Sequence, residues 1–495
     1  MIKPNEDPFA LAKELSGYHL IDGALVPAIS GTTFDVVNPA TGAVIGQAAA
    51  GDAQDVDVAV ASAKAAQLEW QRRSARERGR LITECGRILE NHVEELGRLV
   101  ALESGKALRT ESRVEASILA DTFAYFGGLG SELKGETIPY SPNSLTMTLR
   151  EPVGVVGAII PWNVPMYLMA LKIAPALVAG NTVVVKSSEE APLCCLRVCQ
   201  LLAQILPAGV FNILSGDGPV CGGPVAAHDD VAKISFTGSV ETGRIIHRAA
   251  AEKLVPVTLE LGGKSPMVVM PDADLEQAVQ GAVTGVRFTR QGQSCTAASR
   301  IFVHRSLINE FVERLVAAVN SMKMGDPLDD TTDIGTIVSP AQYQRVQSYL
   351  DLARSTEGAM IHECSSLPDD PALADGLFVR PAIITGVQND HRLSKEEIFG
   401  PVTCVMPFDT YEEAIELANT SDYGLAATIW TQDLKAAMRA IHELEAGFVQ
   451  VNQNVVVQPM LPYGGVKTSG IGKEASLDAM LEHFTHRKTV IINLQ

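Results

Sequence analysis

The feature that most restricts this chain is an alternation of short Val/Ile-rich runs with helical segments through its middle. Residues 153–160, 182–185, 209–214, 231–236 and 257–260 read as strands. Residues 167–179, 192–205 and 220–228, and a stretch from about Val240, read as the helices between them. Strands apolar on both faces must be covered on both, and a parallel sheet enclosed by its crossover helices does this. From Ser265 the alternation restarts, with a strand at 267–270, a helix from Leu275, a strand at 299–303 and a helix from Leu307. Thr410 and Glu413 have the spacing of a capping box that opens another helix. The predicted fold class is α/β, with two Rossmann-like parallel-sheet domains, and 495 residues exceed what one core usually organises.

Upstream, residues 18–51 read as short strands broken by turns at Asp22-Gly23, Ser30-Gly31 and residues 38–42. Beyond Ala53 the pattern is helical: Leu81, Ile82, Cys85, Ile88, Leu89, Val93, Leu96, Leu99 and Val100 recur at helical spacing and mark one buried face. Two segments stand apart. Residues 136–151 alternate polar and apolar side chains, and residues 483–494 contain the run Thr489-Val490-Ile491-Ile492. Both leave a strand edge open to another chain, so a small β oligomerisation element is expected.

With 40 Lys and Arg against 58 Asp and Glu, the formal charge is −18. Such a surface repels phosphate backbones and anionic lipid heads, so no nucleic acid and no membrane is expected as a partner. The central apolar run stops at Pro161, far short of the roughly 20 residues that span a bilayer. Residues 1–17 carry Lys3, Glu6, Asp7, Lys13 and Glu14 without an apolar stretch, so no secretory leader is expected. Eight cysteines without metal-ligand spacing suggest reduced thiols in the cytoplasm and no metal site. Cys194, Cys195 and Cys199 read as packed small side chains.

The residues that can carry chemistry gather at strand ends. Gln293-Ser294-Cys295-Thr296 separates a helical reading of 281–291 from the strand at 299–303, which lets Cys295 face a cleft. Glu260 closes an apolar strand just before Gly262-Gly263; apolar neighbours would raise its pKa and suit it to act as a base. In Pro161-Trp162-Asn163-Val164-Pro165, two prolines hold Asn163 so that its amide can donate to an oxyanion. Gly238 and Ser239 lie between a strand and a helix, where backbone N–H groups can meet an anion. Lys186 and Glu189 close a further strand, a place for ribose hydroxyls. Taken singly, each has an ordinary counterpart: a packed cysteine, a solvated glutamate, a Pro-rich loop, a helix cap, a surface ion pair.

Together with residues 397–402 and Pro462-Tyr463-Gly464-Gly465, and in this order, these segments resemble the aldehyde dehydrogenase superfamily from about Tyr18 to the C-terminus. The resemblance implies oxidation of a small-molecule aldehyde to its acid with NAD, NADP being possible, by a homodimer or homotetramer. It makes Cys295 the nucleophile, Asn163 and the Cys295 N–H the oxyanion donors, and Glu260 the base that hydrolyses a thioester. A glutamate at 260 favours water over coenzyme A as acyl acceptor, an acylating enzyme being the alternative. Cofactor contacts are implied for Trp162, Lys186, Glu189, Gly238, Ser239, Glu397 and Phe399, with Glu189 repelling a 2′-phosphate. Ser187 departs from the proline frequent in the family.

By position, the tunnel for the aldehyde is expected from Val164, Tyr167, Met169, Leu171, Ser294, Thr296, Val455, Val457 and Tyr463, with Gln453 and Asn454 available to a polar end. No Arg or Lys is among them, so a neutral apolar or aromatic aldehyde is expected, a semialdehyde being the alternative. The implied division is 1–133 with 153–262 for NAD, 263–473 for catalysis, and 134–152 with 474–495 for oligomerisation.

Overall fold

The computed structural model of the chain describes residues 2–455 and 457–495. Its first sheet has eight strands in the order Ala24–Val26, His19–Ile21, Phe211–Leu214, Thr182–Lys186, Val155–Ile159, Val231–Thr237, Val257–Glu260 and Gly470–Ile471. From Phe211–Leu214 to Val257–Glu260 all pairings are parallel. The strand order reverses between Val155–Ile159 and Val231–Thr237, because successive crossovers leave Val155–Ile159 on opposite sides. At such a switch point the loops diverge and leave a crevice beyond the carboxyl ends of the strands.

The second sheet has seven strands: Met360–Glu363, Ala382–Thr385, Val402–Phe408, Arg300–His304, Pro266–Val269, Ala426–Trp430 and Phe448–Val451. Only the first pairing, at its edge, is antiparallel. The central strands of both sheets are buried on both faces. Along Val155–Ile159, Val156 and Ala158 enter one core while Val155 and Ile159 enter the other. In the second sheet Val268 and Phe302 face one core, and Met267, Val269 and Ile301 the opposite one. This is the period-two consequence of apolar runs in which every side chain is buried.

A third sheet has Ser144–Pro152 at its centre, paired antiparallel with Thr485–Asn493 on one side and Thr137–Ile138 on the other. Its strand Thr485–Asn493 exposes Ile491 and Ile492. Among the described residues, no helix is long and apolar enough to cross a membrane, and no group of His, Cys, Asp and Glu could hold a metal ion.

Local departures from the sequence reading have local causes. Residues 8–14 form a helix, Pro8–Glu14, capped by Asp7. The helix read over 281–291 is Leu275–Val286; it stops at Arg287, which is left-handed at φ 61°. Residues 220–228 divide into a wide turn, Gly218–Gly222, and a short helix, Gly223–Ala227. Thr410 caps Tyr411–Asn419 by accepting from Glu413 N, but the Glu413 carboxylate accepts from Asp409 N at 2.7 Å, so the reciprocal half of the box is displaced by one residue. His483 ends the helix Leu477–His483 instead of opening the last strand. Residues 470–471, placed with the catalytic unit by the sequence reading, are the edge strand of the first sheet.

Candidate active site

The loop after Val155–Ile159 carries Asn163 into the helix Pro165–Ala179. The first turn of that helix has no side-chain cap of its own. Its orphan N–H groups are met by Glu115, whose Oε1 accepts from Met166 N at 2.9 Å and Tyr167 N at 3.4 Å. The other Glu115 oxygen pairs with Lys106, and Lys106 Nζ also donates to the Asn163 carbonyl at 3.0 Å. Both side chains of the pair are buried. Asn163 Nδ2 donates to Gln293 O at 3.2 Å, which ties this loop to the segment bearing Cys295.

Cys295 stands where two cavities meet. All eight cysteines are free thiols, and the other seven are buried whereas Cys295 is partly exposed. Asn163 and Cys295 line both a cleft of about 760 Å³ and a narrower cavity of about 360 Å³. Cys295 Sγ lies 3.3 Å from Tyr463 Oη. Burial pushes the thiol up to about 11, and the hydrogen bond to Tyr463 works in the opposite direction.

The large cleft lies beyond the switch point, along the carboxyl ends of Val155–Ile159, Val231–Thr237 and Val257–Glu260. Trp162, Gly238, Ser239, Glu260, Glu397 and Phe399 line it. Ser239 Oγ caps the 14-residue helix Val240–Lys253, so that N-terminus is presented to the cleft. Glu397 Oε1 accepts from Gly263 N at 3.0 Å, and burial raises its pKa to about 7. A Cβ at Gly262 would meet that carboxylate, which would have to swing aside. Phe399 is left-handed (φ 58°) and meets Trp162 edge-on, ring centres 5.3 Å apart.

Glu260 ends its strand 3% exposed, and neither of its carboxylate oxygens has a hydrogen-bond partner among the described residues. Burial first, and then nearby Glu474, hold its pKa well above the ordinary carboxylate range; Lys172 and Lys473 oppose this. Glu474 is itself tied down, accepting from Lys172 Nζ at 2.6 Å and Ser235 Oγ at 3.1 Å.

The aldehyde dehydrogenase family model matches residues 26–490. The chain belongs to the aldehyde dehydrogenase family. It is an enzyme that oxidises aldehydes. Among similar sequences is a hydroxyisobutyraldehyde dehydrogenase of Mycolicibacterium austroafricanum, 40% identical over 96% of this chain and 93% of that one. Among solved structures, PnpE in complex with nicotinamide adenine dinucleotide is 40% identical, with TM-score 0.94 over 97% of this chain and 98% of that one. The NAD+ complex of an aldehyde dehydrogenase from Bacillus cereus is 38% identical, with TM-score 0.94 and both chains fully covered.

Not every residue expected in this family site is brought to it. Lys186 and Glu189 do not line the cleft; they pair with each other at 2.8 Å at the end of the neighbouring strand. The narrow cavity is lined by Val164, Tyr167, Leu171, Ser294, Thr296, Val457 and Tyr463 as expected by position. Met169 is not there. It lies two residues from Tyr167, about 200° round the helix, and is fully buried against Cys199, with Sδ and Sγ 3.9 Å apart. Val455 borders a small adjoining cavity instead. Asn454 Nδ2 is committed to Gly281 O at 3.0 Å, and Gln453 is exposed.

The expectation that no cation lines the narrow cavity is overturned, because Arg287 and Arg290 both do. Read as part of a helix through 291, they had no reason to face Cys295. The early stop at Val286 and the single turn Phe288–Arg290 re-aim them. Glu111 and Glu115, from the helical region before the first strand of the switch point, were also absent from the sequence reading. Arg345 was missed at the mouth of the large cleft, where it donates to Glu397 O at 2.5 Å.

Proposed function

We propose that Cys295 forms and releases the acyl group at the junction of the two cavities, with NAD in the large cleft and the aldehyde in the narrow one. The observation that carries this is the position of the one partly exposed thiol on both cavity walls. The large cleft suits a dinucleotide: it lies at a switch point, offers a capped helix N-terminus to phosphates, and sets Trp162, Phe399 and Glu397 around its inner end. When bound, NAD supplies the acceptor for the two electrons and hydrogen that leave the aldehyde carbon. Lys186 and Glu189 would meet the adenosine end only beyond the cleft wall, and Glu189 still disfavours a 2′-phosphate there.

Cys295 must first lose its proton, a step that a thiol held near 11 makes strongly dependent on pH. The thiolate then bonds to the carbonyl carbon, and the Asn163 amide with the Cys295 N–H stabilises the oxyanion. Asn163 would exchange its bond to Gln293 O for this one. After oxidation, the carbonyl re-forms as a thioester on Cys295. Glu260 takes a proton from water, the oxygen bonds to the acyl carbon, and the C–S bond breaks to return the thiolate and release the acid. A carboxylate lacking hydrogen-bond partners is free to accept that proton, and its presence supports water over coenzyme A as acceptor.

The apolar wall of Val164, Tyr167, Leu171 and Val457 supports an aldehyde with a hydrocarbon body. The exposed Ile491 and Ile492 on the last strand support a homodimer or homotetramer, and eight free thiols suit the cytoplasm. The test is Cys295→Ser: NADH formation should fall by at least about 10³-fold while NAD still binds. Unchanged turnover, or turnover that requires coenzyme A and yields its acyl thioester in place of the acid, would remove this reading.

A further inference from the structure

Arg287 is the feature of the narrow cavity that an apolar wall does not explain. The helix Leu275–Val286 ends there on a left-handed residue, and the side chain lines the cavity while only 7% exposed. Among the described residues, no carboxylate lies within ion-pair distance of its guanidinium. Other buried arginines have partners: Arg78 donates to Val178 O, Arg197 pairs with Glu95, and Arg300 donates to Lys264 O and Ala418 O.

The acids nearby are already taken. Arg290 Nε donates to Glu111 Oε2 at 2.8 Å, and Thr289 Oγ1 donates to the other oxygen. Glu115 pairs with Lys106. On this wall, away from the large cleft that holds Glu260 and Glu397, Arg287, Arg290 and Lys106 face only Glu111 and Glu115, which leaves one positive charge in excess. Burial lowers the Arg287 pKa to about 10, still high enough to keep it charged at neutral pH. A desolvated cation without a counter-ion is costly, and an anion entering the cavity would relieve that cost.

We propose that Arg287 recognises a carboxylate at the other end of the substrate, so that the preferred aldehydes are oxo acids with an apolar body between the two groups. This rests on the reaction at Cys295 proposed above. A single excess charge matches a monoanion, and the guanidinium fork matches the two oxygens of a carboxylate. The enzyme would thus release dicarboxylic acids, and its substrates would come from reactions that leave an aldehyde on a carboxylic acid, such as amine oxidation or transamination of amino acids at the end remote from the carboxylate.

The test compares kcat/KM, with NAD, for succinic, glutaric and adipic semialdehydes against their methyl esters, with propanal as the neutral reference. At least one acid should exceed its ester by about tenfold or more. Arg287→Gln should bring that acid-to-ester ratio to about one, and Arg287→Lys should keep part of it. If the wild-type enzyme uses every ester as well as its acid, the role of Arg287 is wrong, whether or not the variants fold. Equal loss on acid and ester in a folded Arg287→Gln that binds NAD normally would also overturn it. Failure of the wild-type enzyme on the acids, the esters and propanal alike would instead count against the reaction at Cys295.

Discussion

Tyr463 Oη stands 3.3 Å from Cys295 Sγ at the wall of the narrow cavity, each the other's hydrogen-bond partner. Burial raises the thiol to about 11, and this bond favours the thiolate. Removing it with Tyr463→Phe takes away a donor to a charged group, worth about 1.5–3 kcal/mol. The thiolate population at a given pH should then fall roughly tenfold or more, at 1.4 kcal/mol per decade. Iodoacetamide labelling of the protein without NAD, followed against pH, checks this: the wild-type rate should climb with pH toward about 11, and the variant curve should lie to higher pH.

Glu260→Gln separates the two halves of the reaction. On the proposed mechanism acylation needs no base at that position, whereas hydrolysis loses its proton acceptor. Rapid mixing should show a burst of about one NADH per subunit, followed by a steady rate lowered by roughly 10²–10⁴-fold. In the wild-type enzyme, burial holds the Glu260 pKa well above the carboxylate range, so the base form grows as pH rises. The steady rate should therefore increase with pH. A variant with an unaltered steady rate would show that another group activates water.

Gly262→Ala tests the inner end of the cleft. The added methyl would overlap the Glu397 carboxylate, which must rotate away or lose its bond to Gly263 N. The carboxylate is the end of a flexible side chain, so the fold should be kept and the effect should fall on its placement in the cleft. Quenching of tryptophan fluorescence by NAD should report an affinity weakened by roughly tenfold or more, since Glu397 and Trp162 line the same cleft.

Lys106→Met tests how Asn163 is held. The substitution leaves Glu115 buried without its counter-charge and the Asn163 carbonyl without its donor. Breaking a buried pair on one side destabilises by about 3–5 kcal/mol. The apparent thermal midpoint should fall. Replacing both partners, as Lys106→Met with Glu115→Leu, should restore part of the stability but not the turnover, because the first turn of Pro165–Ala179 remains uncapped.

The strands and their ends were legible because the signals are local. Apolar runs such as 155–159 and 231–236 are buried on both faces wherever they pair, and Pro161, Gly238 and Gly262 interrupt them at the points where a chain must turn toward a cleft. Assignment by position in the family failed at Met169, which is buried on the other side of its helix. Two residues along a helix point nearly opposite ways, and Tyr167 and Leu171 took the cavity face.

By itself the sequence determined the α/β class and the two alternating units, and the ordered motifs that carry the family resemblance singled out Asn163, Glu260 and Cys295. Only the tertiary structure decided that Glu115, 51 positions before Met166, caps the helix after Asn163, and that Arg287 meets the narrow cavity without a counter-ion among the described residues. The reason is physical. Periodicity reports which face of an element leaves water, but the stopping point of a helix and the partner of a buried charge are settled by packing between segments far apart in the chain.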